Sequence, residues 1–383
     1  MSDRPAGAAR SGAAAGAPRA PASPDRAAAG SGGLARGAPP APANPGGSLQ
    51  ETHAAVLAAL ARTIEEVLTP LVPVDRPVAL LDFPRVPNVG DSVIWLGARA
   101  FLARRGIRPC YTCSHRSYSA AALASRIGDG TILLSGGGNF GDLYPPHQQL
   151  REAVVERFPR NRVVQLPQTI HFESCEPLER ARRVFNRHPD LMLLVRDAPS
   201  LALARERFQA RSFLCPDMAF ALAPQPRPVA PSHPVVWLAR TDKEAPAAAH
   251  LDPPPGVLRV DWLHDDDTAM LRLNRRLGRV LRRMPGLRGP LQGPLSLTYG
   301  PLARERMRRG SRTLSAGRVV VTNRLHAHIL CLLLGIPHIV LDNSYGKVRA
   351  VFEAWTHASP LVEWGVNEAD ALSRALARAE GTA

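Results

Sequence analysis

The sequence predicts an α/β protein built on parallel sheets, and three observations predict it. Apolar, β-branched runs of three to five residues recur at 78–81, 131–134, 163–166, 191–195, 235–238, 257–260 and 319–321, as buried strands do. Between them lie stretches of helical apolar period, several closed by glycine. Polar and glycine-rich residues stand just past the strand ends, the edge at which open α/β sheets bind ligands.

One stretch organises the rest: RVVVTNRLHAHILCLLLGIPHIVLDNSYGK, residues 318–347. Residues 319–321 read as a strand, 327–334 as an apolar helix ended by Gly335, and 338–341 as the next strand. Parallel pairing of the two strands places TNRLH at the carboxyl edge of a sheet and beside a helix N-terminus, where unpaired N–H groups and the helix dipole attract anions. Arg324 adds a planar, permanently charged fork suited to carboxylate or phosphate. The segment reads as an anion site.

In chain order, residues 1–47 are mostly Ala, Gly, Pro, Ser and Arg, too poor in apolar side chains to offset the entropy of ordering. They read as a disordered tail, without the apolar core of a secretory signal and too proline-rich for a transit peptide. Ser48 and Glu51 form a capping-box signature, and Val56, Leu57, Leu60, Ile64, Val67, Leu68 and Leu71 follow at helical spacing. After the strand 78–81, a proline-punctuated loop puts Asn88, Gly90, Asp91 and Ser92 at a strand-to-helix junction; Asp91 or Ser92 also reads as a plain N-cap. After 131–134, SGGGNFG carries Gly136, Gly137 and Gly138, which let backbone N–H groups approach a ligand, and then Asn139. Gln168, Thr169 and His171 follow the strand 163–166, Arg196 and Asp197 follow 191–195, and Asp217 follows 213–215. These polar groups point to one crevice.

Residues 223–234, APQPRPVAPSHP, read as a proline-rich linker between a domain of residues 48–222 and one of 235–383. In the second domain, Asp265, Asp266 and Asp267 read as the cap and first-turn charges of a helix over 268–283 rather than as metal ligands. A glycine and proline loop is expected over 285–301, a basic helix over 302–315, and helices over 348–355 and 368–379, the last packing back across the domain junction.

Composition narrows the function. The chain of 383 residues is 45% hydrophobic with a net charge of +15, and its longest apolar stretch, 329–341, is too short and interrupted to cross a bilayer. The positive charge is local: residues 268–318 hold thirteen arginines and one acid, Glu305, which suits either an anionic surface or a solvated helix face. Five cysteines without regular spacing argue for a reducing compartment, and Cys110 and Cys113, though spaced C-x-x-C, lack a second pair to complete a zinc site.

The motifs NVGDSVIWLG, LLSGGGNFGDLYP, QLPQTIHF, VRDAPSL, CPDMAFAL and VVTNRLHAHILCLLLGIPHIVLDNSYGK stand in an order that resembles the polysaccharide pyruvyl transferase family, over about residues 78–356. The resemblance implies two Rossmann-like domains in a glycosyltransferase-B-like arrangement with the site between them. It also implies transfer of a pyruvyl group from phosphoenolpyruvate to two hydroxyls of a saccharide, free or lipid-diphosphate-linked, as a cyclic ketal. On that resemblance His326 is the general acid/base, Arg196 and Arg324 hold carboxylate and phosphate with Lys347, Gly137 and Gly138, and His171 orients or shuttles a proton. Asn88, Gly90, Asp91, Asn139 and Gln168 face the acceptor, and His328 is structural. Asn323 stands where an acidic residue is frequent in the family. No metal or cofactor is implied, and the expected location is cytoplasmic, with peripheral contact at the inner membrane face through arginines such as Arg282, Arg283, Arg308 and Arg309. Two rival readings are a nucleotide-sugar glycosyltransferase, for which Glu353 or Glu363 is the candidate ribose carboxylate, and a basic nucleic-acid-binding protein, which 5% aromatic content and the lack of a recognition motif disfavour.

Overall fold

A computed structural model describes residues 48–241, 251–284, 288–344 and 346–381; the tail expected over residues 1–47 lies outside them. Helix α1 (Leu49–Leu68) opens with the expected capping box, Ser48 Oγ accepting from the Glu51 N–H at 3.2 Å and Glu51 Oε2 from the Ser48 N–H at 2.7 Å.

The first sheet is carried by β1 (Val78–Leu81), α2 (Val89–Arg104), β2 (Tyr111–Cys113), α3 (Ala120–Ile127), β3 (Thr131–Leu134), β4 (Gly137–Gly141), α4 (Pro145–Arg157), β5 (Arg162–His171), α5 (Cys175–Phe185), β6 (Leu191–Val195), α6 (Ala198–Arg207) and β7 (Arg211–Leu214). Its strands are parallel in the order β2-β1-β3-β5-β6-β7, with β4 beside β5. The second sheet comes from β8 (His233–Leu238), β9 (Val257–Val260), α7 (Ala269–Arg283), α8 (Arg288–Leu297), α9 (Tyr299–Ser315), β10 (Gly317–Thr322), α10 (Leu325–Leu334), β11 (His338–Val340), α11 (Lys347–Val351), β12 (Val362–Trp364) and α12 (Glu368–Ala379). It is also parallel, ordered β12-β11-β10-β8-β9. In each sheet the chain steps out to one side of its first strand and then returns to the other, so each has a switch point beside β1 or β8.

One of three apolar clusters among the described residues is shared by both sheets, joining Leu60 and Ile64 of α1, Trp95 and Phe101 of α2, and Leu330 and Leu332 of α10. α1 reaches the second sheet's helices through His53, whose Nε2 lies 2.9 Å from the Leu332 carbonyl and Nδ1 3.0 Å from Ser359 Oγ. α12 does not cross between the sheets as expected: Ala371, Leu372 and Ala375 pack on Val235, Val319 and Ile339, because its small-residue stripe fits the flat outer face of its own sheet.

Other expectations change. Gly137–Gly141 is a strand, not a loop, and it pairs with a β5 that runs five residues past Leu166. Pro167 does not end that strand because the β5–β6 ladder slips between Gln165 and Gln168, where no donor is needed. At Gly141 φ is +136° and a Cβ would lie 1.7 Å from the His171 carbonyl oxygen, so only glycine permits the pairing. Much of the expected 285–301 loop is helical, as α8 and the start of α9. Thr268, not the acidic run, caps α7, accepting from the Leu271 N–H at 3.1 Å. Asp265 instead receives Arg306 at 2.8 Å and Arg309 at 3.0 Å.

Candidate active site

Both switch points open into one cleft, with a cavity volume of about 200 Å³. Asp82 and Pro84 reach it from the end of β1, Ser135, Gly136 and Gly138 from beyond β3, Arg240 from beyond β8, and Arg324 and His326 from beyond β10. Asn88, Asp91, Asn139, Tyr144, His147, Arg196 and Lys347 add to its polar lining.

Arg196 is 1% exposed, and its charge is met by Asp217, 0% exposed, with Nη1 2.5 Å from Oδ2. Its Nε donates to Thr169 Oγ1 at 2.9 Å, Thr169 donates to Asp197 at 2.7 Å, and Trp355 Nε1 donates to the Arg196 carbonyl at 2.8 Å. The fork is thus fixed from three sides. Asp197 is not the partner of Arg196; it caps α6 through the Ser200 N–H at 2.8 Å.

Arg324 is the N-cap of α10, its N–H donating to Thr322 Oγ1 at 3.1 Å and its Nη2 to Asp261 at 2.7 Å. The carboxylate missing from position 323 is therefore supplied by Asp261, while Asn323 accepts from the Arg240 N–H at 3.0 Å. His326 follows in the first turn. Its Nε2 lies 3.3 Å from Asp217 Oδ2 and 3.4 Å from Arg196 Nη1. Burial alone would raise the pKa of Asp217, but the His326 and Arg196 charges and the Ala219 N–H hold it well below the ordinary carboxylate range. Lys347 opens α11, 8% exposed. A Cβ on Gly138 would sit 3.2 Å from Arg196 Nη2 and 4.0 Å from Lys347 Nζ, so the bare glycine gives both cations access to the cleft.

Of the other expected site residues, some line the cleft while tied into the local structure and some lie behind it. Asn88 caps α2, accepting from the Gly90 N–H at 3.2 Å and donating to Asp91 at 3.1 Å, so neither Asp91 nor Ser92 is the cap. Gly90 does not line the cleft but lies against His326, and a Cβ there would come 2.5 Å from the ring. Gln168 is fully buried and holds Asn139, its Nε2 donating to Asn139 Oδ1 at 2.9 Å and its Oε1 accepting from the Asn139 N–H at 3.2 Å. Gly137 turns the chain at φ +133° and does not line the cleft. Nor does His171, which the extended β5 carries past the cleft to pair with Gly141. His328 is buried between His338, at 2.7 Å, and Thr356, at 2.9 Å.

Sequence reasoning missed Asp82 and His147. Asp82 takes a left-handed backbone, φ +70°, rare for a residue with a side chain, and is 5% exposed. His147 Nδ1 lies 2.7 Å from its Oδ2, and His115 Nδ1 3.7 Å from its Oδ1. Burial would raise the Asp82 pKa; His115, His147 and Arg151 instead lower it to about 2. The ligand atoms of Asp82, His115 and His147 lie within 4.8 Å of one another, the one grouping of metal-ligand types among the described residues, but the His147 contact has hydrogen-bond length. The signal was the DFP turn directly after β1, a polar residue at a strand end. Of the carboxylates a nucleotide sugar would need, Glu363 is tied to Arg374 and Arg378 and Glu353 lies exposed beside Arg349; neither lines the cleft. The C-x-x-C pair is split, Cys113 buried in β2 with its thiol pushed up to about 12 by burial, Cys110 half-buried.

A cleft at two switch points, lined by buried arginines, a lysine and carboxylate-linked histidines, defines an α/β protein with an anion-handling site. Residues 88–286 and 302–345 match the family described as polysaccharide pyruvyl transferase, and the chain belongs to that family of transferases. It is 34% identical over 298 residues to pyruvyl transferase 1 of Schizosaccharomyces pombe, covering 75% of this chain and 71% of that one. EpsO of Bacillus subtilis, assigned by name to the pyruvyl transferases, is 32% identical over 76% of this chain and 89% of its own. The fold is shared with a functionally uncharacterised Klebsiella pneumoniae protein of known crystal structure, at a TM-score of 0.50 and 17% identity, over 80% of this chain and 99% of that one. Among the described residues no helix is long and apolar enough to cross a membrane.

Proposed function

We propose that the protein transfers a pyruvyl group from phosphoenolpyruvate to a saccharide of a surface or exported glycan, closing a cyclic ketal in a cleft between two Rossmann-like halves of glycosyltransferase-B type. The observation that carries this is the convergence of Arg196, Arg324, Lys347 and His326 on one cleft. Phosphoenolpyruvate is a compact anion bearing a carboxylate and a phosphate, which two arginine forks and a lysine match. Asp217 and Asp261 hold the forks in place, so little ordering is left to the binding event.

His326 protonates the methylene carbon, leaving an oxocarbenium-like centre. Its Nε2 has two mutually exclusive partners at nearly equal distance: deprotonated it accepts from Arg196, protonated it donates to Asp217. The ring is therefore held in place in either protonation state, as an acid that must be recharged requires. His147, backed by Asp82, takes the role expected of His171 and accepts the proton of the attacking sugar hydroxyl. Phosphate leaves with the electron pair of its C–O bond, restoring the oxocarbenium-like centre; the second hydroxyl attacks that carbon to close the ketal and gives its proton to His326, which returns to its charged state.

Calorimetry with phosphoenolpyruvate tests the reading. Saturable binding that Arg324→Ala abolishes and His326→Ala largely keeps, both variants melting as folded proteins, separates anchoring from chemistry. A folded wild type that binds no phosphoenolpyruvate, with or without a saccharide diphosphate, overturns it.

A further inference from the structure

The basic segment of the second domain divides once its side chains are placed. Arg306 and Arg309 are not surface charges: both bind Asp265, and they donate to the carbonyls of Pro84 at 2.9 Å and Pro87 at 2.7 Å, bracing the loop after β1. Arg272 pairs with Asp267 at 3.0 Å. Of the exposed arginines that remain, Arg304, Arg308 and Arg312 are spread along α9, whereas Arg275, Arg276, Arg279 and Arg283 share the outer face of α7 and carry no ion pair among the described residues.

That face is also apolar along one edge. Leu273, Val280 and Met284 are 45%, 38% and 53% exposed, and separations of seven and eleven residues return to the same side of a helix of 3.6 residues per turn. Leu271 and Leu281, roughly 160° and 80° around the helix from Leu273, are buried in the core. The helix therefore presents three sectors in sequence: a buried face, an exposed apolar stripe, and an arginine face. A helix solvated by water alone has no use for the middle sector, whereas one lying in a lipid headgroup layer sinks the stripe and pairs the arginines with phosphates. Leu297, at the end of the adjacent α8, is 77% exposed and adds to the apolar surface.

We propose that α7 is a membrane-interfacial element that seats the protein on anionic phospholipid. Its place in the fold fits a substrate presented at a membrane. The inner side of α7 rests on the loop that rims the cleft: a Cβ on Gly278 would lie 2.8 Å from Arg85 Nη1, and the flanking Pro84 and Val86 line the cleft. A bilayer met by α7 thus lies near the cleft mouth. The surface is independent of the phosphoenolpyruvate site, so it stands or falls separately from the reaction.

The test is co-sedimentation of the full chain with phosphatidylglycerol-containing and pure phosphatidylcholine vesicles. Binding to the anionic vesicles is expected, falling about a hundredfold in the triple variant Arg276→Gln, Arg279→Gln, Arg283→Gln. It should also fall in Leu273→Ser, Met284→Ser, with thermal melting of both variants unchanged. Three results overturn the proposal: no binding to anionic vesicles, binding that the arginine variant leaves intact, or binding insensitive to the loss of Leu273 and Met284. Preferential binding of an oligonucleotide through the same arginines, with none to vesicles, overturns it in favour of nucleic acid.

Discussion

Gly90→Ala probes whether His326 sits where the reaction needs it. The new Cβ would lie 2.5, 2.6 and 2.7 Å from His326 Nδ1, Cγ and Cβ, against ordinary contact at 3.4 Å or more, a deficit of 0.7 to 0.9 Å. Rotating the ring does not relieve it, because His326 Cβ is fixed to the backbone of α10. The N-terminus of α2 or of α10 must therefore move by several tenths of an ångström to about 1 Å, drawing Nε2 away from Asp217 and Arg196. Overpacking of this kind costs about 1–3 kcal/mol in stability, and misplacing a catalytic group by about 1 Å costs on the order of a hundredfold in rate. Phosphate release from phosphoenolpyruvate in the presence of acceptor, beside calorimetric affinity for phosphoenolpyruvate, reads both effects. The expected result is a fall in kcat of about a hundredfold with affinity largely kept by the arginines. Gly293→Ala is the control: nothing lies within 4 Å of its Cβ in α8, and it should gain up to about 1 kcal/mol. A folded Gly90→Ala protein with wild-type turnover would refute the placement of His326 at the reacting carbon.

Three further outcomes follow from buried charges. Asp217→Asn leaves the Arg196 guanidinium buried without a counter-charge and should lose about 3–5 kcal/mol in urea unfolding; a loss below about 1 kcal/mol would mean that solvent reaches the pair. Asp265→Ala frees Arg306 and Arg309 from their shared carboxylate and should cost a similar amount, with phosphoenolpyruvate affinity falling as the loop carrying Pro84 and Pro87 loosens. Burial holds the His338 pKa down at about 3 and that of its neighbour His328 well below the usual value. The unfolded chain therefore binds more protons below about pH 6.5; the stabilisation is complete above that pH and is lost as pH falls towards 3, amounting to about 2 kcal/mol at pH 5 for His338. Unfolding at pH 7 and pH 5 should show this slope and show it flattened in His338→Gln.

Local patterning alone encodes the elements and the residues at their ends. Period and strand composition locate most of the parallel strands and helices, though not β2, β4 or β12, the S-x-x-E signature places the start of α1, and TNRLH at a strand end marks Arg324 and His326. Arg196 is legible for the same reason, since the residue at a strand's carboxyl end is fixed in position by the element beside it, whereas Lys347 is marked only by the family resemblance. What these groups meet depends on long-range packing. Asp261 lies 63 residues from Arg324 in sequence and Asp217 lies 109 from His326, and separations of that size leave no periodic trace. That His147 lines the cleft and His171 does not turns on a strand that runs five residues further than its apolar run, through a proline tolerated at a slip in register. The division of the arginines into braces and a free face likewise depended on Asp265, whose acidic run reads equally well as a helix cap. Local propensity places a side chain on an element; its partner, its burial and hence its charge state follow from how the two sheets close over a shared core.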